Sequence, residues 1–142
     1  MSSPAVFLDT SYIYALLNKR DQWHAQALRW QQRLAAEPRR LLTTQFVLAE
    51  IADGLAAVKF RREAAQAIER LSANAWVEIV PASSELFEAA FALYRERQDK
   101  SWGLTDCTSF VAMREHGISE ALTVDDDYQQ AGFRALLLEA DK

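Results

Sequence analysis

Apolar and polar positions along this chain follow two periods, one typical of buried strands and one typical of amphipathic helices. The first apolar run, Ala5-Val6-Phe7-Leu8, contains no polar residue and ends at Asp9. Such an unbroken run is typical of a strand that is covered on both faces, as in a parallel sheet. We therefore predict a first strand that ends at Asp9.

The rest of the chain alternates between these two patterns. Short apolar or β-branched runs predict further strands at 41–44, 76–80, 120–124 and 133–138. Helical spacing of apolar residues predicts helices at 10–18, 22–36, 45–55, 61–74, 86–98 and 104–116, with a short helical turn after 125–127. This alternation predicts an α/β fold, in which helices cover both faces of a mainly parallel sheet of four to five strands.

Length and composition indicate one globular domain. The chain has 142 residues, of which 50% are hydrophobic and 25% charged, and this suits a single domain over residues 1–142. Cys107 is the only cysteine, which excludes an internal disulfide and fits a reducing cytoplasm. We predict a cytoplasmic protein, because there is no secretory signal pattern and no apolar run near the ~20 residues that span a bilayer. The net charge of −4 argues against a surface that is basic overall. It does not exclude nucleic acid, because a local basic rim can bind phosphates.

Four acidic residues fall where the chain leaves one edge of the predicted sheet. Asp9 ends the first strand and Asp125 follows the fourth, whereas Glu50 and Asp106 lie in helices near that edge. Ligands of parallel α/β sheets bind outside the carboxyl ends of the strands. Neighbouring strands are ~4.8 Å apart, so side chains from adjacent strand ends can share a cavity. We predict that these four carboxylates converge on one site.

Converging carboxylates need a counter-ion. Two unit charges 4 Å apart repel each other by about 4 kcal/mol at an effective dielectric constant of 20. A site of oxygen ligands favours Mg²⁺ or Mn²⁺, and the chain has no cluster of His and Cys that would bind zinc. A bound metal can form hydroxide from water and stabilise negative charge on phosphorus. The sequence predicts such a metal, and leaves open whether one ion or two are bound.

Each acid also has a structural interpretation. Asp9 and the acidic run 125–127 are suited to capping the helices that follow them, and Asp106 suits a first helical turn. Glu50 alone would be read as a solvated helix residue. The apolar residues around Glu50 and Asp106 favour a functional interpretation of both acids.

Several other residues are candidates for contacts with substrate or partner. Cations that could form a phosphate-binding rim, or simply a solvated helix face, are Arg20, Lys59, Arg61, Arg62, Arg95, Arg97 and Lys100. Trp102 either stacks on an unpaired base or packs its loop against the core. Tyr12, Trp23 and Trp30 form either an exposed apolar patch or part of the core. We interpret His24, His116 and Cys107 as structural residues.

Two other classes of α/β protein fit the sequence less well. A phosphatase with an aspartyl nucleophile usually has a second Asp two residues after the first, and here that position is Ser11. A phospho-accepting signalling domain needs an acidic pair after the first strand and a Lys after a late strand, and neither is present. A non-catalytic binding module on the same fold stays open as an alternative.

Four segments in order resemble the motifs of PIN-domain nucleases, and most of all the VapC-like toxin branch. They are Phe7-Leu8-Asp9-Thr10-Ser11, Leu48-Ala49-Glu50-Ile51, Leu104-Thr105-Asp106-Cys107-Thr108 and Leu122-Thr123-Val124-Asp125, the last with Tyr128 and Gly132-Phe133. The resemblance covers nearly the whole chain. It implies a three-layer α/β/α fold, a Mg²⁺- or Mn²⁺-dependent ribonuclease and a homodimer. It also implies a toxin role, with a small antitoxin in the cleft that places an Arg on the carboxylates.

The resemblance assigns roles to individual residues. Asp9 and Asp106 correspond to direct metal ligands, while Glu50 and Asp125 correspond to acids that act partly through water. Thr10 and Thr105 match hydroxyl positions that orient a water or an acid. The last motif departs from the pattern because it has three consecutive acids. Asp125 is favoured there, with Asp127 as substitute or assistant and Asp126 pointing to solvent.

Overall fold

The structure is a computed structural model that describes residues 4–139. Within these residues five strands form one sheet: β1 (Val6–Leu8), β2 (Leu41–Thr44), β3 (Val77–Val80), β4 (Glu120–Leu122) and β5 (Arg134–Ala135). Seven α-helices lie between them: α1 (Thr10–Leu17), α2 (His24–Ala36), α3 (Gln45–Gly54), α4 (Val58–Ala73), α5 (Ser84–Glu96), α6 (Leu104–Glu115) and α7 (Asp127–Gln130). A 3₁₀ helix, Leu136–Leu138, follows β5. The fold is a three-layer α/β/α sandwich, as predicted.

All strand pairs of the sheet are parallel, in the order β3-β2-β1-β4-β5. The chain builds the sheet outward from β1 through β2 to β3, and then crosses over to β4 on the other side of β1. The order therefore reverses between β1 and β4, where Phe7 pairs with Ala121 and Leu8 with Leu122. A ligand site is expected at the carboxyl ends of the strands at such a switch point. Asp9 and Asp125 follow these two strands directly or within three residues.

The central strand has the burial expected from its sequence. Val6, Phe7 and Leu8 are each at most 1% exposed, so both faces of β1 are covered by helices. Burial of such side chains contributes roughly 1.5–3 kcal/mol each. This tightly packed strand gives the residue that follows it a fixed position.

Helix starts at the carboxyl edge are fixed by side-chain caps. Asp9 caps α1 by accepting a hydrogen bond from the Ser11 amide, and Thr44 caps α3 by accepting one from the Val47 amide. Ser83 caps α5 in the same way through the Leu86 amide. Gly117 follows the C-terminal end of α6, and its φ of +65° is readily adopted only by glycine.

The predicted last strand, 133–138, is wrong in its second half. β5 has only two residues, and Leu136, Leu137 and Leu138 form the 3₁₀ helix. Leu136 and Leu137 are buried on consecutive positions, and this pattern does not distinguish a strand from a buried helical turn. The other predicted elements exist, with ends that shift by up to three residues.

Of the two alternatives for the aromatic residues of the first helices, the structure shows core packing and not an exposed patch. Tyr12 is 4% exposed, and Trp23 and Trp30 are partly buried against the core. The large exposed aromatic side chains within residues 4–139 are Trp76, Phe87, Phe91 and Tyr94. Three of these four lie on α5.

No helix within residues 4–139 is both long and apolar enough to cross a membrane.

Candidate metal centre and active site

Asp9 is the most firmly held carboxylate of the site. It is 6% exposed, and three hydroxyl groups donate hydrogen bonds to it. Its Oδ2 accepts from Ser11 Oγ at 2.8 Å and Thr123 Oγ1 at 2.7 Å, and its Oδ1 accepts from Tyr128 OH at 2.9 Å. These three hydrogen bonds hold the Asp9 carboxylate in one orientation.

The same hydroxyls tie together the loops after β1 and β4. Ser11 Oγ also accepts a hydrogen bond from the Val124 amide at 3.1 Å, and Thr123 Oγ1 accepts one from the Asp125 amide at 3.1 Å. Asp125 Oδ1 in turn accepts from the Asp127 amide at 2.9 Å. This network fixes Asp125 and Asp127 relative to Asp9 across the switch point of the sheet.

Asp106 enters the site from the first turn of α6. Its Oδ2 accepts a hydrogen bond from the Gly103 amide at 3.1 Å. Burial, followed by the nearby charges of Asp9, Asp125 and Glu50, raises the pKa of Asp106 to about 7, although the Gly103 hydrogen bond acts in the opposite direction. At neutral pH this carboxyl group is thus poised between its neutral and charged forms.

The pKa values of Glu50 and Asp125 are raised by the same two causes, burial and neighbouring carboxylates. Burial raises the pKa of Glu50, which the charges of Asp9 and Asp125 raise further. Burial also raises the pKa of Asp125, again with a contribution from Asp9. The structure thus places Asp9, Glu50, Asp106 and Asp125 near enough together for their charges to raise the pKa values of Glu50, Asp106 and Asp125.

The tightest group of carboxylates differs from the predicted set. One oxygen each of Asp106, Asp125 and Asp127 lies within 4.8 Å of the others, and Asp9 and Glu50 lie outside this three-carboxylate cluster of the described residues. Asp127, predicted only as a substitute or assistant, is therefore a full member. Asp126 is exposed, and its Oδ2 accepts a hydrogen bond from Gln130 Nε2 at 3.3 Å.

The donor set fits a divalent cation with oxygen ligands. Oxygens bound to one Mg²⁺ are at most ~4.2 Å apart, because each lies ~2.1 Å from the ion, and the three-carboxylate cluster is close to this spacing. Without an ion, two charges 4.8 Å apart repel each other by about 3 to 4 kcal/mol at an effective dielectric constant of 20. Thr10 Oγ1 lies next to the Glu50 carboxyl group. This oxygen is buried, and within the described part of the chain no group forms a hydrogen bond of regular geometry with it. A bound water or ligand would satisfy this hydroxyl.

Hydroxyl groups that hold the acids were the part of the site least visible in the sequence. Ser11, Thr123 and Tyr128 belong to the quoted motifs, but no role was predicted for them. Two of them have a signal in the sequence, because Ser11 lies two positions after Asp9 and Thr123 lies two positions before Asp125. Ser11 stands where a phosphatase motif has its second Asp. Its hydroxyl group donates a hydrogen bond to Asp9 and accepts one from the Val124 amide.

Other candidate residues have mostly structural positions. Trp102 is 4% exposed and packs edge-on against Phe110 with ring centroids 5.0 Å apart, so the core-packing alternative is correct and base stacking is excluded. Cys107 is buried, and burial raises its pKa. His24 Nδ1 and His116 Nδ1 lie 2.7 and 2.9 Å from the backbone carbonyl oxygens of Ala15 and Ala112, as expected for structural residues.

The candidate cations of the rim remain on the surface. Arg97 is paired with Asp99 by two hydrogen bonds of 3.0 Å. Lys100 Nζ lies 5.9 Å from the centroid of the Trp102 ring and forms no ion pair within residues 4–139. Burial and the charge of Asp125 raise the pKa of Asp127, whereas the ammonium group of Lys100 lowers it. Lys100 is thus the rim cation that the structure places beside the acids.

Comparisons with known proteins agree with this geometry. The family model of the PIN domain matches residues 6–134. The 23S rRNA-specific endonuclease VapC20 of Mycobacterium tuberculosis is 35% identical over 130 residues, which cover 90% of this chain and 95% of the relative.

Solved structures give the same result at the level of the fold. The crystal structure of Mycobacterium tuberculosis VapC20, described as a sarcin-ricin loop cleaving toxin, superposes with a TM-score of 0.77 and 31% identity over 90% of this chain and 95% of that one. VapBC2 of Rickettsia felis, bound to a DNA fragment from its promoter, has a TM-score of 0.64 at 16% identity, covering 92% and 96% of the two chains. FitAcB of Neisseria gonorrhoeae has a TM-score of 0.62 at 19% identity, covering 92% and 94%. The extent of the family match and the identity to a full-length relative show that this chain belongs to the PIN domain family.

Proposed function

We propose that this protein is an endoribonuclease that hydrolyses RNA phosphodiester bonds with the help of Mg²⁺ or Mn²⁺. The observation that carries the proposal is the cluster of carboxylates at the switch point of the sheet, on a chain 35% identical to an rRNA endonuclease. The substrate implies a cytoplasmic location. The rRNA specificity of the relative makes a structured RNA loop the first substrate to test.

Asp106, Asp125 and Asp127 would bind the metal, with Asp9 and Glu50 completing the site directly or through water. The metal, when bound, would lower the pKa of a water and stabilise the negative charge that develops on the phosphate. Ser11, Thr123 and Tyr128 donate hydrogen bonds to Asp9. The Asp9 carboxylate is therefore already in position before substrate binds. Glu50 is half-buried and its pKa is raised, which makes it suited to accept a proton from the attacking water.

Cleavage of an RNA oligonucleotide tests this proposal. We expect cleavage with Mn²⁺ or Mg²⁺ and none with a chelator. Asp106→Asn and Asp125→Asn should each lower the rate at least about 100-fold, more than the 10–100-fold typical of residues that only support a ligand. Asp126→Asn is the matched control, since Asp126 is an exposed acid of the same run, and it should stay within about threefold of wild type.

Two results would contradict the proposal. One is a metal-dependent rate that Asp106→Asn and Asp125→Asn leave unchanged. The other is the absence of Mn²⁺ binding at millimolar concentration in titration calorimetry, which would favour a non-catalytic binding module instead.

A toxin role, neutralised by a small antitoxin protein, is a second part of the proposal. Its support is the relative VapC20, whose crystal structure is described as that of a toxin. An antitoxin that places an Arg on the carboxylates would replace the metal as counter-ion. Expression of wild type and Asp106→Asn in parallel tests the role: wild type should arrest growth and the variant should not. Equal growth of both strains would argue against a toxin.

A further inference from the structure

A small cavity lies between the end of α5 and the loop that leads into α6. This α5–α6 pocket has a volume of about 340 Å³, and Tyr94, Gln98, Lys100 and Trp102 are among the residues that line it. Binding sites for small ligands begin at about 300 Å³, so the pocket can hold one group such as a nucleotide. A base-paired duplex is too wide to enter it.

The charged side chains that line the α5–α6 pocket are cations, in a chain whose net charge is −4. Arg97 and Lys100 both lie over the Trp102 ring, at 5.2 and 5.9 Å from its centroid. The guanidinium group of Arg97 is paired with Asp99. The ammonium group of Lys100 forms no ion pair within residues 4–139. Lys100 is therefore available to bind an anionic group in the pocket.

The pocket also presents an aromatic ring and polar groups that suit a nucleic-acid base. Tyr94 is 48% exposed, and its ring stacks on that of Phe91 with centroids 6.3 Å apart. The exposed amide of Gln98 offers both hydrogen-bond donors and an acceptor. Trp102 contributes a buried indole N–H that has no hydrogen-bond partner in the described part of the chain. Proteins recognise unpaired RNA bases by stacking them on aromatic rings and by hydrogen bonds to their edges.

The loop that forms the pocket also contacts the carboxylate cluster. The Gly103 amide of this loop donates a hydrogen bond to Asp106 Oδ2 at 3.1 Å. Lys100 is near enough to Asp127 to lower its pKa. Cys107, which also lines the pocket, directly follows Asp106 in α6. A ligand in the pocket therefore lies beside any phosphate group that is bound at the cluster.

We propose that the α5–α6 pocket binds the unpaired RNA nucleotide next to the scissile phosphate, with its base on the Tyr94 ring and its phosphate on Lys100. Gln98 contacts the edge of the base and so determines which bases are accepted. This inference rests on the proposed function, because it makes the pocket a subsite of the same nuclease. It predicts a preference for unpaired nucleotides, since a stacked base pair cannot enter the pocket.

Binding of fluorescein-labelled single-stranded RNA of random sequence, measured by fluorescence anisotropy in an Asp106→Asn background, tests the pocket without cleavage. Tyr94→Ala should raise the dissociation constant about 5- to 150-fold, as expected for the loss of one stacked base. Tyr94→Phe keeps the ring and should stay within about twofold of the background. Phe87→Ala is the matched control and should also stay within about twofold, because Phe87 is an exposed aromatic residue of the same helix that does not line the pocket.

Cleavage of RNAs that carry a single abasic nucleotide shows where the pocket acts along the strand. With wild type, the abasic nucleotide should lower kcat/KM about 5- to 150-fold at one position adjacent to the cleaved bond. At that position the losses from the abasic nucleotide and from Tyr94→Ala should not add, because both remove the same stacking contact. Gln98→Ala should reduce the preference among the bases at this position and leave other positions unchanged.

The two experiments separate failure of the pocket from failure of the proposed function. Equal dissociation constants for Tyr94→Ala and Phe87→Ala, or no RNA binding at about 100 μM, would overturn the inference even if wild type cleaves RNA. Additive losses from Tyr94→Ala and the abasic nucleotide would also overturn it. A wild type that binds RNA through Tyr94 and cleaves none would overturn the proposed function, while the pocket would still bind a nucleotide.

Discussion

At the scale of single residues, the site depends on how Asp9 is held. Tyr128 OH is the only described donor to Asp9 Oδ1, and its ring is fully buried. Tyr128→Phe removes one oxygen and leaves the packing against Phe110 in place. Because a hydrogen bond to a charged group contributes roughly 1.5–3 kcal/mol, we expect a loss of that size in the free energy of unfolding and a 10–100-fold lower cleavage rate.

Urea unfolding followed by fluorescence measures the first effect and a cleavage assay the second. Tyr94→Phe is the matched control, since it removes the same atom from an exposed ring, and it should change the free energy of unfolding by less than about 0.5 kcal/mol. A Tyr128→Phe protein with wild-type stability and rate would show that Asp9 is held well enough by Ser11 and Thr123 alone.

Lys100 is the residue whose substitution should reveal a contact with RNA phosphate. A phosphate contact to single-stranded RNA contributes about 0.7 to the slope of log K against log salt concentration. Lys100→Met should therefore make that slope shallower by about 0.7, as measured by fluorescence anisotropy in an Asp106→Asn background. Arg33→Met is the control, because Arg33 also lies over a Trp ring, 4.4 Å from that of Trp30, but at the end of α2. Equal slopes for both variants would exclude Lys100 from the RNA contacts.

The location of a site residue was predictable from the sequence only where the residue directly follows a strand of the sheet or lies close to its end. Asp9 and Asp125 follow the two strands that flank the switch point, so their meeting follows from the α/β pattern. Asp127 could not be ranked above Asp9 in the carboxylate cluster, because that depends on how α7 begins. Trp102 could not be assigned to the core, because its burial depends on the edge-on contact with Phe110.

At the scale of elements, the contact between α1 and α3 sets the position of Glu50. Tyr14 OH donates a hydrogen bond to the Glu50 carbonyl oxygen at 2.8 Å, and a Cβ atom on Gly54 would lie 1.7 Å from the same hydroxyl. Gly54 does not have a positive φ, so helix propensity alone would favour Ala by roughly 1 kcal/mol. We expect the reverse: Gly54→Ala should lower the free energy of unfolding by about 1–3 kcal/mol, because it overpacks this contact.

A double-mutant cycle measured by urea unfolding checks the cause. In a Tyr14→Ala background, Gly54→Ala should be neutral or stabilising, since the clashing ring is gone. A Gly54→Ala substitution that destabilises both backgrounds equally would place the effect elsewhere on α3.

Element boundaries were predictable where a cap or a charge marks them. β2 has the predicted bounds because Pro38 and two arginines precede it and Thr44 caps the next helix. The end of the chain was not predictable, since three consecutive leucines satisfy a strand and a 3₁₀ turn equally well. The exposed rings of α5 were likewise indistinguishable from core positions, because both sides of that helix are apolar.

At the scale of the whole molecule, the carboxylates oppose folding when no metal is bound. The pKa of Asp106 is about 7, and those of Glu50, Asp125 and Asp127 are also raised. An unfolded Asp titrates near ~3.9. Between pH ~4 and ~7 the folded state therefore binds more protons than the unfolded state, and the free energy of unfolding falls as the pH rises through this window. A divalent cation binds the deprotonated carboxylates, so its stabilising effect should increase over the same window.

Thermal melts in a chelator and in excess Mn²⁺ measure both effects. Without metal, wild type should melt at a lower temperature at pH 8 than at pH 5, because the charged acids repel one another. Asp106→Asn should melt higher than wild type at pH 8 without metal and no higher at pH 4, where Asp106 is protonated. Mn²⁺ should raise the wild-type midpoint at pH 8 more than at pH 5, and raise that of Asp106→Asn less. Asp126→Asn should follow wild type throughout, since Asp126 is exposed and outside the carboxylate cluster. If Asp106→Asn melted below wild type at pH 8 in the chelator, the charged carboxylates would be stabilised by protein contacts alone, and a metal would not be needed as their counter-ion.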